Sequence, residues 1–384
     1  MGYIHDLGSQ DVSSAGTYNF NLLGLPTTSA WGGKYHISGF DFQITYDIND
    51  SGSNKVDPLN LLNFFNNISI QDNNSRILDL AGNGTLAWIT YNGYPSNQGG
   101  NFTTDDATAR AVFSVNFAPA DCREDDFMSP VPFFRNGNVS FVSSGDGTTV
   151  VAATSTVTVN TFTVQVFARL TPKKDWILPP LQRVGYVANA AGTSVTVNLQ
   201  TSGQRVLQAF SYATGTVGSG AAGDDRGVLD NLGPDGQNAN TVMCPNLIPA
   251  INGCELASAY CNDNPTNGWV ITSSLASQAT LNSIAVSSQG FYSANDFQVL
   301  PFFWTRPKQN ISDVMARGAQ QITVTLGSST ALNTVYQTLL PRDSATLSSQ
   351  LATLGLDPNT AVYGPNASGA VSPEDLPYFP IRVE

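Results

Sequence analysis

The chain has 384 residues and a mass of 40.8 kDa, and its 17 Lys and Arg residues against 29 Asp and Glu residues give a formal charge of −12 at pH 7. Because a protein that binds a phosphate backbone needs clustered basic residues, this charge argues against nucleic-acid binding. Only 12% of the residues are charged, against about 25% in an average soluble protein. Together with abundant Gly, Asn, Ser and Thr, this composition is typical of a turn-rich β protein.

The N-terminal segment and the distribution of apolar residues predict neither export nor membrane insertion. Residues 1–10 have neither the basic region nor the apolar core of a signal peptide. No apolar run approaches the ~18 residues that a transmembrane helix needs. A coat protein that is made in the cytoplasm and survives outside it fits this combination. A mature secreted protein given a new Met1 is the alternative.

Alternation of apolar and polar residues predicts a series of short antiparallel strands. The clearest case runs from Phe40 to Tyr46, where every second residue is apolar. The same period recurs in later segments, at residues 113–117, 157–159, 162–166, 195–199 and 322–326. Because turn-rich segments separate the strands and no strand alternates with a helix, we expect an all-β sandwich or barrel and not a parallel βαβ fold.

Two helices are predicted, and we expect both to cover sheet edges or barrel ends. The first starts with Asp57 as N-cap and Pro58 at the first helical position, and it continues to Phe65. The second starts at about Asp343, has leucines spaced on one face, and stops at Gly355.

A link that contains Lys and Pro, Leu170–Pro180, marks a domain boundary near the middle of the chain. Similar strand-like strings precede Pro172 and Pro341, which are 169 residues apart. That spacing suits one duplicated domain of jelly-roll size. We therefore predict domains at 1–171 and 172–384, with residues 215–268 as an elaborated outer tower loop of the second domain.

No motif predicts a cofactor or catalytic site. The glycine pattern at residues 218–223 has no helical period behind it and precedes Asp224 and Asp225, so a flexible loop explains it better than a dinucleotide site. The two histidines are His5, near a terminus that we expect to be loose, and His36. We interpret His36 as a satisfied strand-edge residue and not as a general base. The sequence thus predicts no catalytic, cofactor-binding or metal-binding residues and no enzyme activity.

Carboxylate and cysteine positions do not predict a metal site. The segment that starts at Asp47 resembles the beginning of an EF-hand loop, but Pro58 stands where the closing glutamate is required. Solvated loops explain the other acidic clusters better than calcium sites do. These clusters contain Asp121, Glu124, Asp125, Asp126, Asp224, Asp225, Asp230 and Asp235. The cysteines show no C-x-x-C pair, which argues against zinc. The sequence does not decide whether two of Cys244, Cys254 and Cys261 form a disulfide.

The order of elements from about residue 17 to 215 resembles the double jelly-roll major capsid proteins of tailless icosahedral viruses, the tectivirus and adenovirus-hexon lineage. The dipeptides Gly39-Phe40 and Leu178-Pro179 contribute to this resemblance. The matching pieces are a strand from Lys34 through Phe40, a helix over 58–67, a strand over 68–70, a strand around 86–89, strands at 111–117 and 138–142, closing strands to Leu170, and the link 176–180.

This resemblance implies a fold, a function and partners. Each subunit would hold two eight-stranded antiparallel jelly rolls with short helices and long surface loops, and three subunits would form a pseudo-hexagonal capsomer of an icosahedral shell. The implied partners are other copies in the homotrimer, neighbouring capsomers, penton and minor capsid proteins, and an internal membrane, without direct nucleic-acid binding. The implied location is the virion, assembled in the host cytoplasm. Residues 1–17 do not match the family's basic amphipathic N-terminal helix, since they lack Lys and Arg.

The alternative is a secreted β-sandwich protein that binds or cleaves carbohydrate, and a fibre or adhesin domain is a third hypothesis. A glycosidase requires two carboxylates that face each other across a cleft, and an exposed aromatic lining would accompany them. Indoles in β proteins more often anchor cores or interfaces. The candidate residues for such a lining are Trp31, Trp88, Trp269 and Trp304.

Overall fold

The computed structural model describes residues 2–50, 56, 58–73, 75–91, 109–119, 122–151, 156–199, 204–214, 229–230, 244–245, 300–302, 316–317, 320–360, 362–363 and 376–383. The first strands are β1 (Tyr3–Asp11), β2 (Gly16–Asn21), β3 (Lys34–Asp50), β4 (Phe65–Gln71), β5 (Arg76–Leu80), β6 (Ala109–Asn116), β7 (Ser129–Pro130), β8 (Asn138–Ser143) and β9 (Val157–Lys173). The later strands are β10 (Trp176–Leu178), β11 (Leu181–Leu199), β12 (Arg205–Thr214), β13 (Leu229–Asp230), β14 (Cys244–Pro245), β15 (Leu300–Phe302), β16 (Ala316–Arg317), β17 (Gln320–Leu340), β18 (Val362–Tyr363) and β19 (Ile381–Val383).

Helices are few and short in the described part of the chain. The α-helices there are α1 (Gly82–Tyr91), α2 (Glu124–Phe127) and α3 (Ser344–Thr353). The 3₁₀ helices are Pro58–Phe64, Val131–Phe134, Gly147–Thr149 and Leu376–Tyr378. The prediction of an all-β fold is confirmed, and each segment of alternating apolar residues lies largely within a strand, in β3, β6, β9, β11 or β17.

The first half of the chain forms an eight-stranded jelly roll. One sheet has the strand order β1-β9-β3-β6, with β7 attached to β3. The facing strands have the order β5-β4-β8-β2 and belong to a larger sheet. In chain order, the eight main strands alternate between the two groups except at β4 and β5, which are consecutive in one group, as a jelly roll requires. Every pairing within each group is antiparallel.

Aromatic side chains fill the space between these two sheets. Phe42 of β3 meets Phe141 of β8 with ring centroids 5.0 Å apart and near-perpendicular rings. Phe162 of β9 stacks on Phe64 at 4.1 Å and meets Phe65 edge-on at 5.8 Å. All five side chains are buried. The alternation of β3 and β9 arises because one face of their sheet contacts this core and the other does not.

The larger sheet continues from the first half of the chain into the second. Val184 of β11 pairs with Leu78 of β5 in the parallel sense. On its other side β11 pairs with β17 in an antiparallel ladder, and β17 pairs in turn with β12. The sheet is therefore continuous from the first jelly roll to β11, β17 and β12 of the second half.

Both predicted helices are present, although the first is a 3₁₀ helix. It covers Pro58–Phe64, and its predicted cap Asp57 lies outside the described residues. Helix α3 is confirmed at both ends. Asp343 accepts a hydrogen bond from the Thr346 amide at its start, and Gly355 ends it with a φ of 74°. That left-handed conformation favours glycine, which is why the chain stops its helix there.

The predicted strand around Leu86–Ile89 is wrong, because this segment forms α1. Leu86, Ala87, Trp88 and Ile89 are all fully buried. A short apolar run that is buried on every side has no polar face, so its period does not distinguish a helix from a strand. His5 was also expected near a loose terminus, yet it lies in β1, paired with Ala168 of β9.

Phe162 tests the contribution of the aromatic layer. Phe162→Ala removes a ring that bridges the two sheets, so we expect the free energy of unfolding to fall by about 3–5 kcal/mol. Thr163→Ala is the control, because the neighbouring residue points to the other face of β9 and its loss changes stability by less than about 1 kcal/mol. Urea unfolding followed by tryptophan fluorescence compares the two, and similar losses in both variants would contradict this account of the core.

Candidate functional site

The chain passes between its two halves at one end of the jelly roll, in a segment that we call the joint (residues 174–180). Within it, β10 pairs with β19, and β19 pairs with β18, so strands from near the C-terminus return to the joint. Directly before the joint, the last residues of β9 pair with the first residues of β3. The joint therefore contacts the first jelly roll on one side and strands of the second half on the other.

His36 ties the joint to the first jelly roll. Its side chain is fully buried, and its Nε2 accepts a hydrogen bond from the Ile177 amide at 3.0 Å. Its Nδ1 lies 3.0 Å from the Lys34 carbonyl oxygen. Because a carbonyl oxygen only accepts, Nδ1 carries the hydrogen and the ring is the neutral Nδ1–H tautomer. The sequence-based interpretation of His36 as a satisfied strand residue fits this geometry.

The environment of His36 disfavours its charged form. Burial is the main cause that lowers the pKa of His36 to about 4, and the nearby Lys34 and Lys173 act in the same direction. The hydrogen bond to the Lys34 carbonyl and the charge of Asp125 oppose the shift. The ring also packs against Trp176, with centroids 5.5 Å apart. His36 is therefore neutral at pH 7.

Two residues of the predicted acidic loop are engaged in ion pairs at this end of the molecule. Asp125 pairs with Lys173 at 2.7 Å, and Asp126 pairs with Arg123 at 3.2 Å. Burial raises the pKa of Asp126, and the Arg123 charge opposes that shift. The interpretation as a solvated loop is wrong for Asp126, which is buried, whereas the Asp125 side chain stays half exposed. Asp121 lies outside the described residues.

Arg342 holds the other side of the joint. Its guanidinium is buried and donates to the Phe379 carbonyl at 3.1 Å and to the Pro179 carbonyl. The Arg342 amide donates to the Pro377 carbonyl at 3.0 Å. Burial lowers the pKa of Arg342 to about 10, so the side chain is charged at pH 7. Arg342, which lies two residues after the end of β17, thus connects the joint to the segment before β19.

A third polar contact joins the two halves of the chain outside the joint. Gln337 of β17 donates from Nε2 to the Gln182 side-chain oxygen at 2.6 Å and to the Phe117 carbonyl at 3.3 Å. Gln182 belongs to β11, whereas Phe117 follows β6 of the first jelly roll. The contact is buried, so both halves contribute to one polar network.

A cleft of about 430 Å³ lies beside the joint. Its lining includes Ser75 from the turn before β5, Arg183 from β11 and Thr346 from α3. None of its eight lining residues is a carboxylate, a histidine or an aromatic residue. Because glycoside hydrolysis requires two facing carboxylates, this cleft does not match the carbohydrate-active alternative.

The tryptophans considered for that alternative do not come together where they are described. Trp31 is 96% exposed at a hairpin before β3, and Trp88 is fully buried in α1. Trp269 and Trp304 lie outside the described residues, as does the glycine pattern at 218–223. Asp224, Asp225 and Asp235 of the predicted acidic clusters also lie outside them, and only the backbone of Asp230 is described.

Metal-binding and membrane-spanning features are absent from the part of the chain that the structure describes. Within the described ranges, no group of three or more His, Cys, Asp and Glu side chains is placed to hold a metal ion. No helix among those residues is long and apolar enough to cross a membrane. Residues 51–55 of the EF-hand-like segment, together with Cys254 and Cys261, lie outside them, while Asp47 accepts a hydrogen bond from the Asn160 amide group at 3.4 Å.

The overall architecture is similar to that of solved viral capsid proteins. The crystal structure of the major capsid protein of Sulfolobus turreted icosahedral virus matches with a TM-score of 0.51 and 11% identity, over 89% of this chain and 97% of that one. The same virus in its atomic virion structure matches with a TM-score of 0.51 and 12% identity, over 92% and 95%. The fold is a double jelly roll.

The major capsid protein P2 of bacteriophage PM2 is less similar, with a TM-score of 0.43 and 10% identity over 88% of this chain and 97% of that one. No protein-family model matches the sequence, and no curated protein matches it. The double jelly roll is thus recognised from its three-dimensional arrangement, as the sequence resemblance predicted.

No single motif in the sequence marked the polar contacts of the joint. Its polar residues come from β3, β10, the end of β17 and the segment before β19. Their shared feature is burial of a basic or polar side chain, which sequence spacing does not show. The lysines and the prolines of 170–180 did mark the location of the link itself.

Arg342 tests whether the joint contributes to stability. Arg342→Met keeps the unbranched stem but removes the donors to two carbonyl groups, so we expect a loss of about 2–4 kcal/mol in the free energy of unfolding. Arg183→Met is the matched control, because Arg183 is an exposed arginine near the same cleft and its replacement changes stability by about 0.5 kcal/mol or less. Equal unfolding midpoints for the two variants in urea would show that Arg342 does not hold the joint.

Proposed function

We propose that this chain is the major capsid protein of an icosahedral virus and that three copies form a pseudo-hexagonal capsomer. The observation that carries the proposal is the parallel pairing of β5 and β11. This pairing places β11 of the second half beside β5 of the first jelly roll; with a second jelly roll standing beside the first, three chains would offer six similar edges. The match to the capsid protein of the turreted virus over nearly the whole of both chains supports this proposal.

The outer face of the β1-β9-β3-β6 sheet is suited to an interface with another copy of the chain. Asp41 on this face forms an ion pair with Arg169 at 3.3 Å. Asp6 accepts a hydrogen bond from the Gln165 side chain at 2.7 Å. Since Asp41 has a cationic partner and Asp6 has a hydrogen-bond donor within their own sheet, covering the face leaves fewer polar groups without partners. Interfaces of permanent assemblies are depleted of charge at their cores.

The proposal extends to partners, location and domain limits. The partners are other copies in the homotrimer, neighbouring capsomers, and penton and minor capsid proteins, in a virion assembled in the host cytoplasm. The role is structural and not enzymatic. The domains are 1–171 and 172–384. Residues 215–268 are the proposed tower loop, most of which lies outside the described residues.

Contact with an internal membrane is not part of the proposal. Where the family has a basic amphipathic helix, residues 3–11 of this chain form β1 at the edge of a sheet. The segment contains no Lys or Arg, which leaves it without attraction to anionic headgroups.

Solution mass tests the capsomer. Light scattering at micromolar concentration is expected to give about 122 kDa, three times the 40.8 kDa of the chain, and negative-stain images of that species should show a hexagonal outline. A stable 40.8 kDa monomer would contradict the preformed capsomer. Binding to a glycan panel would then be measured, because a carbohydrate-binding sandwich is the next hypothesis.

A further inference from the structure

The hydrogen bond between His36 and Ile177 depends on one proton. The Ile177 amide donates to Nε2 at 3.0 Å, and Nδ1 is occupied by the Lys34 carbonyl. Since both ring nitrogens have partners, the ring cannot rotate to offer Ile177 another acceptor. A proton on Nε2 converts this acceptor into a donor, and two N–H groups then face each other.

Burial makes that conflict severe. His36 is fully buried, so no solvent reaches the pair to replace the lost hydrogen bond. A buried donor without an acceptor destabilises the conformation that contains it. The protonated ring also carries a charge, which a buried site disfavours. The conflict is relieved only when the joint and His36 separate.

The charged groups around His36 come from three elements. Lys34 lies on its own strand, Lys173 comes from the end of β9, and Asp125 comes from α2. The Asp125 carboxylate already pairs with Lys173 at 2.7 Å. The β10 neighbour is the uncharged Trp176 ring. Among the described residues, no carboxylate therefore stabilises an imidazolium at this position directly.

We propose that His36 is a proton-operated latch, which holds the joint and its partner strand β19 on the first jelly roll at neutral pH and releases them in acid. The latch goes beyond the capsid role and does not depend on it, because every contact lies within one chain. On the other side of the joint, Arg342 remains bonded to the Pro179 carbonyl. Acid therefore frees the joint from the first roll while it stays attached to the second half.

The direction of the pH effect follows from linkage. An unfolded histidine takes up a proton near pH 6.5, whereas His36 takes one up only near pH 4 in the folded chain. Between these values the unfolded or released state binds more protons, so the latch weakens as the pH falls through this range. Above about pH 6.5 its contribution is complete.

Hydrogen exchange of the full chain tests the latch. Peptides that cover residues 174–180 are followed by mass spectrometry from pH 7 to pH 3.5, with exchange corrected for its intrinsic pH dependence. We expect their protection to fall at least tenfold across this range, while β8, at residues 138–143, stays protected. Constant protection of the joint, or its loss together with β8, would overturn the proposal.

His36→Gln separates protonation from other effects of acid. The glutamine oxygen offers an acceptor to Ile177 but does not titrate, so we expect the joint to keep its protection at pH 3.5. His5→Gln is the matched control and should behave as the parent chain. Acid loss in His36→Gln equal to that of the parent would overturn the proposal.

A direct titration decides the outcome even if that variant fails to fold. In the His5→Gln chain, His36 is the only histidine, and its ring signals are followed by NMR with labelled histidine. We expect the Nδ1–H tautomer at pH 7 and a midpoint near pH 4, in step with joint release. A midpoint near pH 6.5, or the other tautomer, would overturn the latch. The solution mass of the parent chain tests the capsomer separately.

Discussion

One β-sheet shared by both halves of the chain is the constraint on which the rest of the structure depends. The parallel contact between β5 and β11 fixes the direction of β11, the first long strand of the second half. It also brings the end of β9, the start of β11 and the end of β17 to the same end of the molecule. The joint is short, so it closes only when these three strand ends meet there. Rotation of one half against the other would break hydrogen bonds of the continuous sheet.

Polar contacts between the two halves of the chain define their relative position more closely than apolar packing alone would. Apolar burial has no direction, whereas a hydrogen bond requires a particular distance and angle. His36, Gln337 and Arg342 each lie buried and each hold a backbone group of a different segment. A shift of the joint by one residue would break the bond of His36 to Ile177 and that of Arg342 to Pro179. The joint therefore defines one arrangement of the two rolls and not a family of them.

The strands that the sequence predicted have one solvent-exposed face and one buried face. In β3 and β9 the alternation is regular because only one side contacts the aromatic core. Strand β1 lacks a buried face and lies at a sheet edge, so its sequence gave no such period. Helix α1 has a fully buried stretch at Leu86–Ile89, so its sequence shows no alternation of apolar and polar residues either. The alternation of apolar and polar residues thus shows that one face of a segment is buried and the other exposed, and it does not by itself identify a strand or a helix.

The contacts of the joint could not be predicted, for a different reason. Its contacts connect residues 141 positions apart for His36 and Ile177 and 163 positions apart for Arg342 and Pro179. No local pattern relates residues at such separations. Lys173 and Asp125, which influence His36, are likewise brought together only by β9 and α2. A histidine that seems to be an ordinary strand residue in the sequence acquires its chemistry from the strands that the fold places around it.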